Sequence, residues 1–107
     1  MSSLAVSVVI PTYNRRDRVV RAVDSALAQC GAGDEIIVVD DGSTDRTREA
    51  LERYGHRVRY IDTPNRGAGR ARNIGIAEAK NPLVAFLDSD DTWMPGKLLL
   101  HRGLMGA

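Results

Sequence analysis

Four short apolar runs rich in β-branched residues, separated by stretches of helical periodicity, constrain this chain more than any other feature. They are "LAVSVVI" (Leu4 to Ile10), "EIIVV" (Glu35 to Val39), "VRYI" (Val58 to Ile61) and "LVAFL" (Leu83 to Leu87). All are bounded by polar or breaker residues, and the near-continuous ones have the pattern of strands buried on both faces of a parallel sheet. Between the first two, Val19, Val20, Val23, Ala26 and Leu27 recur at spacings of three and four, which predicts a helix from about Asp17 to Gln29, closed by Gly31. A second helix is expected from about Thr44 to Tyr54, with Ser43 as its N-cap and Gly55 as its stop. A third should run from about Gly67 to Lys80 and bury Ala68, Ala71, Gly75 and Ala79 as a face small enough to approach a sheet closely, ending at Asn81 and Pro82. Pro95 stands where helices begin, so "GKLLLHRGLM" is read as a fourth.

Strictly alternating β and α elements imply a parallel sheet with right-handed crossovers and helices on both faces. The expectation is an α/β, Rossmann-like half with strand order 3-2-1-4. In such sheets ligands bind beyond the carboxyl ends of the strands, where the strand order reverses. Three strands run into polar motifs at that edge: "PTYN" (Pro11 to Asn14), "DDGS" (Asp40 to Ser43) and "DSDD" (Asp88 to Asp91).

Size and composition narrow the possibilities. With 107 residues, residues 1–107 form one small domain. A content of 43% apolar and 27% charged residues is that of an ordinary globular protein. The net charge of +1 offers no field for nucleic acid or acidic membranes, so no nucleic-acid partner is expected. The single cysteine, Cys30, cannot form an internal disulfide, which fits a reducing compartment. No apolar run reaches the roughly 20 residues that span a bilayer. A cytoplasmic location is therefore expected, with the inner face of a membrane as the other option. His56 and His101 are too few for a histidine-led triad or a His-rich metal site.

The acidic tip after the fourth run carries the chemistry. Adjacent carboxylates repel unless something positive sits among them, and two of them one residue apart, Asp88 and Asp90, suit a hard divalent cation such as Mn²⁺ or Mg²⁺ that shares its ligands with phosphates. A solvated acidic turn is the plainer alternative. Tyr13 offers a face on which a nucleobase could stack, and Asp40 or Asp41 could accept from a base N–H or a ribose hydroxyl. Equally, Tyr13 could pack at the core margin while Asp41 and Ser43 form a turn and a cap. Arg66, Arg70 and Arg72 in "NRGAGRARN" present guanidinium forks suited to phosphate, or a solvated helix face. "GAGRAR" lacks the third glycine of a dinucleotide fingerprint.

Taken in series, "VSVVIPTYNR", "DEIIVVDDGSTDRT", "NRGAGRARNIGIAEA" and "VAFLDSDDTWMPGKL" resemble, in order and spacing, the nucleotide-binding half of family-2 glycosyltransferases of the GT-A fold, over about Ala5 to Leu99. The resemblance implies a nucleotide-sugar donor, a divalent metal, and inverting transfer to a saccharide or lipid-linked acceptor. Carried over by position, it implies that Pro11 and Tyr13 flank the base and that Asp41 hydrogen-bonds it with Asp40 beside it. Of the three arginines, Arg72 is expected in the nucleotide site for its phosphate-matching fork. The resemblance also implies Asp90 as the direct metal ligand, with Asp88 facing ribose, sugar or metal-bound water. The family's general base lies after the DxD loop. Only 16 residues follow Asp91 here, so truncation before the acceptor half is expected, with little transfer by this chain alone. An unclosed sheet edge is compatible with self-association into homo-oligomers.

Three rival readings come from other classes. "DSDDT" also fits the DxDxT of haloacid-dehalogenase-like phosphatases. Asp40, Asp41 and Asp88 could instead be the acidic set of a receiver-like signalling domain, although a receiver's acidic pair follows its first strand. The third rival is a non-catalytic nucleotide-binding or assembly module.

Overall fold

A computed structural model of the chain describes residues 5–89. The elements run β1 (Val6–Thr12), α1 (Arg16–Leu27), β2 (Glu35–Asp40), α2 (Thr47–Leu51), a 3₁₀ segment (Glu52–Arg57), β3 (Val58–Asp62), α3 (Ala68–Glu78) and β4 (Leu83–Phe86). All pairings are parallel, as the alternation of runs predicts, and the strand order is β3-β2-β1-β4, the order expected with the fourth strand beside the first. The fourth helix expected after Pro95 lies outside the described residues.

The period of two along the strands divides the core into two layers. Val6, Val8 and Ile10 of β1 face α1 and α2, where they meet Val19, Ala22, Val23, Ala26 and Leu51. Val9, Ile37 and Val39 face the opposite way, onto Ala71 and Ile74 of α3. Both faces of β1 and β2 are therefore covered, which is why those two strands are apolar almost throughout. Each fully buried Val or Ile contributes roughly 1.5–3 kcal/mol relative to an exposed one.

Helix α3 can lie this close because Gly75 is buried on it: a Cβ there would stand 2.3 Å from Cγ1 of Val9. Of the other small residues expected on that face, Ala71 is buried, Ala79 is half-buried and Ala68 is exposed. Ala68 opens the helix at the rim, beyond the sheet that covers the rest of the face.

Two local expectations are corrected. Strand β1 continues through Pro11 and Thr12 rather than stopping at Ile10. The Thr12 carbonyl accepts from the Asp41 N–H on the β2 side, and the Val9 carbonyl from the Leu87 N–H on the β4 side. Pro11's missing N–H therefore falls on the β4 side, beyond the last β1–β4 pair at Val9 and Phe86, where no ladder bond is lost. The helix expected over Thr44 to Tyr54 is a five-residue α2 followed by a 3₁₀ segment, and Gly55, at φ 56° and ψ −134°, breaks it in a conformation that suits glycine. Ser43 does not cap it. The residue before α2 is Arg46, in the left-handed region, and no side chain caps the helix.

The rim at the amino ends of the strands is closed by a polar cluster. The buried carboxylate of Glu35 accepts from the Ser7 hydroxyl at 2.6 Å and the Lys80 N–H at 2.7 Å, and pairs with Arg59 at 3.5 Å. Arg59 also reaches the Glu78 carboxylate at 2.7 Å and its carbonyl at 2.8 Å, while the Asn81 N–H donates to Ser7 Oγ at 3.2 Å. Burial alone would raise the Glu35 pKa, but the bonds donated by Lys80, Ser7 and Arg59 more than offset it and hold the carboxyl below its ordinary range.

Candidate nucleotide site

At the carboxyl rim the loops are bound to one another rather than free. The Asn14 N–H donates to Ser43 Oγ and the Thr44 N–H to Asn14 Oδ1, both at 2.8 Å, and the Arg16 N–H donates to Asp45 Oδ2 at 3.0 Å. Ser43 thus serves the β1–α1 loop instead of a helix end. Asp41 stitches the next pair of loops: its two carboxylate oxygens accept from the consecutive N–H groups of Arg66 and Gly67, at 2.8 and 2.9 Å. The loop between β3 and α3 is held down on the tip of β2 by these two bonds.

Between these loops opens a cavity of about 510 Å³. Pro11, Thr12 and Tyr13 line it from β1, and Asp41 from the tip of β2. Asn65 and Gly67 come from the β3–α3 loop, Ala68, Ala71 and Arg72 from α3, Arg15 from the start of α1, and Asp88 from the tip of β4. Tyr13 is 43% exposed, so its ring is available to a planar ligand. Arg72 pairs with Asp88 at 3.4 Å, and both side chains are about half exposed. A larger depression of about 730 Å³ between 14–18 and 44–46 is an open surface of charged side chains that holds none of the residues implicated by the sequence.

Of the implicated residues, Pro11, Tyr13, Asp41, Arg72 and Asp88 are brought together around one space. Asp40 is not among them. Its buried carboxylate accepts from the Tyr60 hydroxyl and from the Ser43 N–H at 2.9 Å. Burial, and the Asp40 carboxylate beside it, push the Tyr60 pKa up, so the hydroxyl stays protonated and donating. With Asp40 turned to Tyr60, the Asp40, Asp41 and Asp88 trio that a receiver-like reading requires is not assembled. Arg66 enters the site through its backbone, and neither its side chain nor that of Arg70 lines the cavity. Asp90 and Asp91 lie outside the described residues. Arg15 and Asn65 were not implicated by the sequence. The only signal for Arg15 is its place directly after "PTYN".

The donor chemistry at β4 suits a hard cation in part. Asp88 presents an exposed carboxylate at a strand tip, yet no group of three or more His, Cys, Asp or Glu side chains is gathered among the described residues. A cation here would draw further ligands from a bound phosphate or from water.

A doubly wound parallel half-sheet with a polar crevice at its strand-order reversal is an α/β fold of the class that binds ligands beyond the carboxyl ends of its strands. The model of "Glycosyl transferase family 2" matches residues 7–105, and the chain belongs to that family. It is 47% identical over 95 residues to the succinoglycan biosynthesis protein ExoO of Rhizobium meliloti, covering 87% of this chain and 27% of that protein. An uncharacterized glycosyltransferase of Nostoc sp. is 42% identical over 99 residues, covering 89% of this chain and 31% of the relative. Among solved structures, S. aureus TarS 1-349 in complex with UDP-GlcNAc superposes with a TM-score of 0.84 at 29% identity, over 96% of this chain and 31% of that one. The mannosyltransferase PcManGT from Pyrobaculum calidifontis, in complex with GDP-Man and Mn²⁺, gives 0.83 at 26%, over 97% and 32%. The 107 residues thus span about a third of the length of these relatives. Among the described residues no helix is long and apolar enough to cross a membrane.

Proposed function

We propose that these residues form the donor-binding part of an inverting, metal-dependent glycosyltransferase that moves a sugar from a nucleoside diphosphate to an acceptor hydroxyl. One observation carries the reading: Pro11, Tyr13, Asp41, Arg72 and Asp88, from four separate elements, share a single crevice of nucleotide size. Tyr13 stacks on the base. Asp41, each of whose oxygens can accept more than one bond, takes a base N–H while holding the Arg66–Gly67 backbone in place. Arg72 moves from Asp88 to the phosphates, where its fork matches phosphate oxygens.

Asp90, with Asp88 beside it, would hold Mn²⁺ or Mg²⁺. When bound, such a cation offsets the negative charge that gathers on the departing diphosphate. The cavity walls formed by Pro11 and Ala71 limit water around the base, and the two bonds to Asp41 fix the loop that closes over it. The acceptor's base is not assigned to any described residue. We propose that the 107-residue chain alone binds donor and transfers little or no sugar, and transfer by the isolated chain would contradict this.

A thermal-shift series with UDP, GDP and their sugars, with and without Mn²⁺, tests the reading. A ligand at one hundred times its Kd adds about 2.7 kcal/mol to the folded state. For a domain of this size each kcal/mol raises Tm by roughly 4–8 °C. A rise with at least one nucleoside diphosphate is expected, and unchanged Tm with all of them would overturn the assignment.

A further inference from the structure

We propose that Arg15 is a second phosphate-gripping residue, closing with Arg72 on the diphosphate of the donor from opposite faces of the sheet. The inference rests on the reading that the crevice takes a nucleoside diphosphate. Helix α1, which Arg15 precedes, packs on one face of the sheet, and α3, which carries Arg72, packs on the other. The two guanidinium groups nevertheless meet consecutive residues at the tip of β4: Arg15 Nη1 lies 3.5 Å from Ser89 Oγ, and Arg72 Nη2 lies 3.4 Å from Asp88 Oδ1. Both arginines line the cavity, and no other lysine or arginine side chain lines it among the described residues.

Charge and geometry explain why two are used. A diphosphate carries at least two negative charges across adjacent phosphoryl groups, and one planar fork engages one carboxylate-sized pair of oxygens at a time. The 3.4 Å contact of Arg72 with Asp88 lies at the long end of hydrogen bonding, so exchanging it for phosphate oxygens forfeits little. The base of the Arg15 side chain is already positioned. Its neighbours Asn14 and Arg16 are tied through their N–H groups to Ser43 and Asp45, and its own carbonyl accepts from the Val19 N–H at 2.8 Å. The backbone ordering that binding would otherwise require is complete before the ligand arrives.

The test is a set of NMR titrations of the 107-residue protein with UDP, GDP, uridine and guanosine, the diphosphates with and without Mn²⁺. Arg15→Met is expected to weaken the diphosphate that binds the unaltered protein by about tenfold or more, which corresponds to about 1.4 kcal/mol, and to leave the matching nucleoside unchanged. Arg15→Lys should recover part of the loss, because it keeps the charge without the fork. Arg18→Met, which removes a cation outside the crevice, should change neither. Equal diphosphate affinity in Arg15→Met, or an equal loss for nucleoside and diphosphate, overturns the role of Arg15 while leaving the nucleotide site standing. Absence of binding by the unaltered protein overturns the nucleotide-site reading and this inference with it.

Discussion

Gly75 of α3 rests on Val9 of β1 so closely that a Cβ at residue 75 would stand 2.3 Å from one Val9 methyl and 3.0 Å from the other. That contact sets the distance between α3 and the sheet, and α3 carries Arg72 and one wall of the crevice. Alanine at 75 gains about 1 kcal/mol of helix propensity over glycine. Forcing a methyl group into a filled core costs typically 1–3 kcal/mol and pushes the helix outward. Gly75→Ala is therefore expected to lower stability in urea unfolding and to weaken nucleotide binding, whereas Gly69→Ala, on the same helix with nothing within 4 Å, should raise stability.

Asp41→Asn is the sharpest test of the loop stitch. The amide keeps one accepting oxygen and presents an NH₂ to a backbone N–H that now lacks a partner, a loss of about 1–3 kcal/mol. Hydrogen exchange should quicken at Arg66 and Gly67 before it quickens in β2 itself. Unchanged protection at those two amides would show that other contacts hold the loop.

Tyr60→Phe separates the two neighbouring aspartates. Removing the hydroxyl leaves the buried Asp40 carboxylate with the Ser43 N–H, and stability should fall by about 1–3 kcal/mol. Because Asp40 does not line the crevice, nucleotide affinity measured by titration should stay within about twofold, a change of at most about 0.4 kcal/mol. A large loss of affinity with the fold intact would bring Asp40 back into the binding site.

Glu35 makes the fold sensitive to acid. Its folded pKa lies below the ordinary 4.5, so its contribution is present above that value and is lost as pH falls through the folded pKa. Asp45, held low by the Thr47 hydroxyl and the Arg16 N–H in spite of burial, acts in the same direction. Urea midpoints between pH 7 and pH 3 should show the unaltered protein losing more stability on acidification than Glu35→Gln. Parallel curves would mean that the cluster around Glu35 does not couple to protonation.

The architecture was legible because it depends on local signals that add up. Runs such as "EIIVV" are short, β-branched and bounded by polar residues, which favours strands, and with the fourth strand beside the first the order 3-2-1-4 brings the polar tips to one edge. Local signals failed where a distant partner decides. Ser43 reads as a helix cap, yet it is claimed by the backbone of Asn14, which lies 29 positions away. The α2 region reads as one helix ending at Gly55, yet its α-helical part spans only Thr47–Leu51 and passes into a 3₁₀ segment. Composition and spacing alone do not tell Asp40 from Asp41. The alternation of strand faces sends the first to Tyr60 and leaves the second at the crevice, beneath the Arg66–Gly67 backbone. The meeting of Arg15 with Ser89, 74 positions away, has no local signal either, since it depends on β4 lying beside β1.

The knot of charge around Glu35 and the crevice around Tyr13 occupy opposite ends of the same strands. Substitutions that tune robustness can accumulate at one end while ligand preference drifts at the other, with Val8, Val9 and Ile10 of β1 between them. A chain built this way can change what it recognises without renegotiating how it folds.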